Sequence, residues 1–145
     1  MTLLTTPESL RALYEPTRER SAAKELPQLD VHATRFIGLA PFVVLATGGV
    51  DGMDASPRGG APGFVKVLDA HTLLIPDSPG NNRLDTLQNI IHTPQVGLLF
   101  MVPGVDETLR VNGTAVLSVD AADLEGCKDA RRVPKLAIRV TVQAS

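Results

Sequence analysis

The chain has 145 residues, with 43% hydrophobic and 21% charged residues and a formal net charge of −2. These values fit one soluble globular domain, and the acidic balance with 3% aromatic residues argues against a nucleic-acid-binding protein. A single cysteine excludes an intrachain disulfide. The longest apolar stretch, residues 36–47, is too short to span a bilayer, and the N-terminus lacks the pattern of a secretory signal. We therefore expect a cytoplasmic protein without a membrane partner.

The first forty residues predict a helical N-terminal segment. Thr6-Pro7-Glu8 combines a cap, a proline and an acid, which predicts a short helix that ends near Tyr14. A second helical patch covers residues 18–26, and Asp30 caps a third predicted helix that ends near Gly38. These helices precede the strand-rich part of a single domain, residues 1–145.

From residue 42 to residue 143 the pattern predicts a barrel. Apolar and β-branched runs between turn residues predict strands, which cover residues 42–47, 64–68, 72–75, 95–102, 108–119 and 136–142, with the short segment 53–57 as a seventh candidate. Helical spacing predicts a helix over 83–92, and residues 120–128 predict a shorter one. Six or seven strands with turn-length links favour a mainly β fold, a small antiparallel barrel with flanking helices.

Positive charge is sparse within the predicted barrel. Between residues 36 and 127 the chain has ten acids but only four lysines and arginines, which are Arg58, Lys66, Arg83 and Arg110. Arginine suits phosphate because its planar guanidinium donates two parallel hydrogen bonds, and lysine adds a compact charge. Each cation could instead pair with a surface acid. The set as a whole favours an anionic ligand.

The loop over residues 76–83 supports the same interpretation. It carries Gly80, Asn81, Asn82 and Arg83 to the start of a predicted helix, where free backbone N–H groups attract anions. Helix capping by one asparagine is the alternative. Capping does not account for the arginine, so the loop favours a phosphate site.

Other kinds of site have weak signals. His32, His71 and His92 lie in three different elements without metal-ligand spacing, so no metal site is predicted. No residue has the surroundings of a nucleophile or general base, and Cys127 is interpreted as a bystander thiol. The catalytic residues are therefore unknown, and an enzyme of this sequence would rely on a bound cofactor.

An ordered series of motifs resembles the pyridoxamine 5′-phosphate oxidase-like, FMN-binding split-barrel family. The series spans residues 36–118 and is made of Ser56-Pro57-Arg58-Gly59, Gly63-Phe64-Val65-Lys66-Val67-Leu68-Asp69, Thr72-Leu73-Leu74-Ile75-Pro76-Asp77, Gly80-Asn81-Asn82-Arg83, Asn89-Ile90, Pro94-Gln95-Val96-Gly97-Leu98-Leu99-Phe100, Pro103-Gly104 and Glu107-Thr108-Leu109-Arg110-Val111-Asn112-Gly113. The sequence looks most similar to the branch of probable FMN-dependent enzymes. The resemblance implies a Greek-key split barrel that forms a homodimer with FMN at the subunit interface.

The resemblance also implies which residues bind the cofactor. It assigns the FMN phosphate to Lys66, Asn82 and Arg83, and it assigns Arg58 to the strand that approaches the flavin and its phosphate. These residues include three of the four cations selected by charge placement.

The remaining implied contacts concern the flavin ring and the second subunit. Val65 and Ile75-Pro76-Asp77 would border the ring through backbone groups, and Asn89 would reach the site from the following helix. Thr108 and Arg110 match the strand that reaches a flavin from the partner subunit in this family.

Three functions remain open at the sequence level. The first is a flavin-dependent oxidoreductase that acts on an unidentified small-molecule substrate through FMN. The second is a non-catalytic flavin-binding or sensing protein, which the lack of an obvious acid–base residue favours. The third is a deazaflavin-dependent reductase on the same barrel. A purely structural barrel without a ligand is a further alternative, which leaves the Asn81-Asn82-Arg83 loop and its partner cations unexplained.

Overall fold

The computed structural model describes residues 1–16, 25–77 and 84–145. Its helices are α1 (Pro7–Arg11), α2 (Val31–Leu39), α3 (Asp85–His92) and α4 (Ala121–Gly126). Its strands are β1 (Phe42–Gly49), β2 (Gly52–Gly59), β3 (Lys66–Asp69), β4 (Thr72–Pro76), β5 (Gln95–Met101), β6 (Thr108–Ser118) and β7 (Ala137–Ala144). In these ranges no helix is both long and apolar enough to cross a membrane.

The N-terminal helices begin at their predicted caps. The Thr6 hydroxyl accepts a hydrogen bond from the Ser9 amide at 3.1 Å, and Asp30 Oδ1 accepts one from the Ala33 amide at 2.7 Å. The prediction that α1 continues to Tyr14 is wrong, because the helix ends at Arg11 and buries none of its residues. So short a helix gains little without packing. The helical patch predicted over 18–26 lies mostly outside the described residues.

All seven strands form one antiparallel sheet, in the order β2-β1-β5-β6-β7-β4-β3. The prediction of a mainly β, antiparallel architecture with flanking helices is therefore confirmed. β2 is longer than the predicted segment 53–57 because it pairs with β1 along its whole length. This pairing outweighs the weak strand propensity of its glycine and proline residues.

The inner face of the sheet carries the core. Alternate residues of β1, β5 and β6 are buried, and fully buried side chains include Val43, Leu45, Phe100 and Val111. The outer face of the same strands holds the alternating residues, which are partly or fully exposed. This alternation decides which sequence motifs can share a site, since strand residues of opposite parity face opposite sides.

β2 and β3 are the two edges of the sheet, and the loop over residues 60–65 connects them. The Gly60 amide donates to the Pro41 carbonyl and the Gly63 amide to the Ala40 carbonyl, each at 3.1 Å. Gly63 has φ +78°, and a Cβ there would lie 2.9 Å from the Gly38 carbonyl oxygen. Glycine is therefore required where this loop passes the end of α2.

Candidate functional site

A cleft of about 270 Å³ lies where the edge strands end. One wall comes from the end of β2 and the loop after it, the floor from β3 and the end of β4, and the other wall from the segment after α4. Its lining residues are Gly59, Gly60, Ala61, Pro62, Phe64, Lys66, Pro76, Asp77, Cys127, Lys128, Asp129, Arg132 and Pro134. Three residues expected to bind the cofactor, Lys66, Pro76 and Asp77, thus meet in one cleft.

Arg58 reaches this region from the inner face of β2. Its side chain is 15% exposed, and its Nη1 donates to Asp77 Oδ1 at 2.9 Å. Its Nε is buried and has no hydrogen-bond partner within the described part of the chain. A buried N–H without an acceptor costs about 1–3 kcal/mol. The guanidinium therefore has unused capacity to bind an anionic group.

Lys66 begins β3 and faces the same cleft. Its Nζ donates to the Gly63 carbonyl at 2.9 Å, which holds the ammonium at the turn. An ammonium has three donors, so two remain for a ligand. The preceding Val65 is 2% exposed, and its side chain belongs to the core. Any contact of Val65 with a ligand would therefore involve backbone atoms, as the resemblance implies.

The wall formed by residues 127–134 was not identified from the sequence. Cys127 is 6% exposed at the end of α4, and burial raises the pKa of its thiol above the ordinary value, against the opposing effect of Lys66. The Arg131 and Arg132 amides both donate to Asp129 Oδ1, at 2.7 and 3.0 Å. These two bonds lower the pKa of the Asp129 carboxyl. The feature of the sequence that could have indicated this wall is the cluster of lysines and arginines over residues 128–135.

Asn89 lies on α3 and contacts β1. Its Nδ2 donates to the hydroxyl of Thr47, a fully buried residue, at 3.0 Å, and its side chain fills the space beside Gly49. Thr86, one turn earlier, donates to Asp54 Oδ2 on β2 at 3.2 Å. These contacts fix α3 on the β1–β2 hairpin. The expected contact of Asn89 with a flavin stays a prediction.

Thr108 and Arg110 lie on the outer face of β6, and both are exposed. Arg110 is opposite Leu99 in β5, which is opposite Val44 in β1. Arg58 faces inward on β2, with β1 and β5 between it and β6. Within one chain, Arg110 and Arg58 therefore lie on opposite faces of the sheet and do not share a site.

Two expected phosphate-binding residues, Asn82 and Arg83, lie outside the described residues. Asp77, the last described residue before them, is bonded to Arg58, and Leu84, the first described residue after them, lies just before α3.

Comparison with solved structures shows the same fold at low identity. HupZ of Group A Streptococcus is 18% identical with a TM-score of 0.63, and the match covers 79% of this chain and 89% of that chain. General stress protein 26 of Bacillus anthracis is 15% identical with a TM-score of 0.55, covering 77% and 90%. The FAD binding protein of Mycobacterium smegmatis is 17% identical with a TM-score of 0.54, covering 81% and 92%. These likenesses establish the fold alone.

The family assignment comes from the sequence profile. No curated protein matches the chain significantly. The profile described as pyridoxamine 5′-phosphate oxidase, in contrast, matches residues 29–144, which include all seven strands and the whole cleft. The split-barrel architecture agrees with that match. The chain therefore belongs to the pyridoxamine 5′-phosphate oxidase family.

Proposed function

We propose that this chain binds FMN and acts as a flavin-dependent oxidoreductase on a small-molecule substrate. The observation that carries the proposal is the buried Arg58 guanidinium, whose Nε lacks an acceptor in the described part of the chain. A phosphate oxygen would supply that acceptor in a charge-assisted hydrogen bond. Family membership and the similarity to an FAD binding protein support a flavin as the bearer of the phosphate.

The residues of the cleft fit such a ligand. Asp77 accepts a hydrogen bond from Nη1 of the Arg58 guanidinium, while the Nε donor of the same group has no acceptor in the described part of the chain. Lys66 adds a second positive charge, with its ammonium held at Gly63. We propose that both residues hold the phosphate together with Asn82 and Arg83. Backbone groups of Val65 and the Pro76-Asp77 segment then border the ring.

A bound flavin supplies the electron transfer, and the protein supplies binding and orientation. Burial keeps the Cys127 thiol protonated at neutral pH, because its pKa is raised. The thiol is therefore a neutral part of the cleft wall rather than a nucleophile. The positive charges of Lys66 and Arg58 favour the anionic form of whatever group lies beside them.

A homodimer completes the proposed site. The outer faces of β1 and β5 carry apolar residues in register, which are Phe42, Val44, Ala46, Leu99 and Met101. Arg110 lies next to this surface and away from the cleft of its own chain. Pairing of two such surfaces would bury apolar area and would bring Arg110 and Thr108 towards the partner's flavin.

A non-catalytic flavin-binding protein is the second candidate. The contacts described for the cleft support binding of a flavin, and none of them identifies a group that would react with a substrate. Reduction of the bound flavin by NADH or NADPH, followed by turnover with added acceptors, would identify the enzyme. Binding without reduction by any donor would identify the sensor.

Titration of the purified protein with FMN, followed by flavin fluorescence, tests the proposal. We expect saturable binding at micromolar concentrations and about tenfold weaker binding for Arg58→Gln, from the loss of a charge-assisted hydrogen bond. Arg131→Gln is the matched control, because it removes the same charge from an exposed side chain, whereas the Arg58 side chain is largely buried and bonded to Asp77 of the cleft. Absence of FMN binding by the wild-type protein would refute the proposal. Tighter binding of a deazaflavin than of FMN would show that the cofactor is a deazaflavin.

A further inference from the structure

The two walls of the cleft are attached to the protein in different ways. The wall formed by residues 59–64 is held by backbone hydrogen bonds from Gly60 and Gly63 to the chain at the end of α2. The opposite wall belongs to residues 120–134, which comprise α4 and the turn after it. We call these residues the lid segment.

The backbone hydrogen bonds of the lid segment stay within it. Leu124 donates to the Asp120 carbonyl at 3.0 Å, Cys127 to Leu124 at 3.2 Å, and Asp129 to Arg132 at 3.1 Å. In the ranges that the structure describes, no backbone-to-backbone bond joins the segment to the sheet. The segment is therefore attached by side chains and by its two covalent connections.

The side-chain attachments are few. Leu124 and Cys127 pack on Leu74 and Ala137, in a small apolar cluster separate from the main core. Asp123, which is 8% exposed, accepts hydrogen bonds from Arg139 Nη1 at 2.9 Å and from Ser118 Oγ at 2.6 Å. These contacts lie on the outer face of β7 and β4, so the main core does not depend on them.

We infer that the lid segment opens as a unit, about Val119 and Lys135, and so controls access to the cleft. Opening exposes one small apolar cluster and breaks the two hydrogen bonds of Asp123, while the β6–β7 pairing and the main core remain intact. Units with few buried contacts open at free energies below that of global unfolding. The lid segment supplies one whole wall of the cleft, so its opening widens the entrance for a ligand.

Cys127 reports on this opening, since it is the single cysteine and is buried where the lid segment packs on Leu74 and Ala137. In the opened state its thiolate attacks the disulfide of 5,5′-dithiobis(2-nitrobenzoic acid). A mixed disulfide forms, and one thionitrobenzoate and one proton are released. We expect the folded wild-type chain to react at a rate nearly independent of urea at low concentrations, because local opening exposes little surface.

Asp123→Asn tests the attachment. It removes the charge that holds Arg139, and we expect labelling about tenfold faster, from the loss of a charge-assisted hydrogen bond. Glu125→Gln is the matched control, because Glu125 pairs with Lys128 inside the lid segment and its replacement removes the same charge. We expect the control to label at the wild-type rate.

Labelling at reagent concentrations high enough that the rate no longer rises equals the rate of opening, so this limiting rate does not depend on the thiol pKa. We expect Asp123→Asn to raise the limiting rate, while the Leu124 and Cys127 amides, which are bonded inside the lid segment, keep their protection from hydrogen exchange. Labelling that requires the free energy and urea dependence of global unfolding would refute the lid, and so would loss of protection at these two amides, which would show that α4 unfolds instead. Equal acceleration by Glu125→Gln would also refute it, as the Asp123 contacts would then not hold it closed.

Discussion

Replacement of Asn89 by alanine tests whether the buried contact between α3 and β1 stabilises the fold. The substitution removes the 3.0 Å hydrogen bond to Thr47 and leaves that fully buried hydroxyl without its donor. A lost hydrogen bond with an unsatisfied buried partner costs about 1–3 kcal/mol. For a domain of this size, each kcal/mol lowers the melting temperature by about 4 °C.

Urea unfolding of Asn89→Ala, Thr47→Val and the double variant would measure this contact. We expect each single variant to lose about 1–3 kcal/mol, and the double variant to lose less than the sum by about 1 kcal/mol, because both remove the same bond. Single losses below about 0.5 kcal/mol that add in the double variant would refute the reasoning. Full stability of Asn89→Ala together with lost FMN affinity would assign the residue to the cofactor instead.

Three further predictions concern separate parts of the molecule. Gly63→Ala should lower the urea midpoint more than Gly104→Ala, because both glycines have positive φ but only a Cβ at 63 meets a carbonyl oxygen, that of Gly38. Cys127→Ala should reduce the loss of stability above pH 9, as urea unfolding from pH 7 to 10 would measure. The pKa of the thiol is higher in the folded than in the unfolded chain, so the thiol contributes stability below its unfolded pKa, and this contribution is lost as the pH rises through its folded pKa. Arg110→Glu should reduce self-association in sedimentation equilibrium without changing circular dichroism, and an unchanged mass would count against the outer face as the interface.

Local signals in the sequence predicted the strands and much of the candidate site. Asp30 and the proline at 41 gave α2 its limits, because capping and breaking act within a few residues. The scarcity of cations selected Arg58 and Lys66, which the structure brings to one cleft region. These features depend on short-range patterns or on composition.

The features that the sequence did not predict depend on strand order. Residues 127–134 meet Lys66 because β7 pairs with β4 and β4 with β3, an arrangement that no local pattern contains. The start of β3 at Lys66 rather than Phe64 is an exception with a local cause, since the Phe64 amide donates to the Ala61 carbonyl at 2.9 Å and keeps Phe64 in the turn.

The edges of the sheet have a consequence for polymerisation. β2 carries Pro57, which has no amide donor, and β3 is only four residues long with an irregular register at Val67. Both features make an edge a poor template for a further strand. Growth of a continuous ribbon by edge-to-edge addition is therefore disfavoured. The association proposed through the outer face would instead end at two copies, so such a dimer would form without growth into fibres.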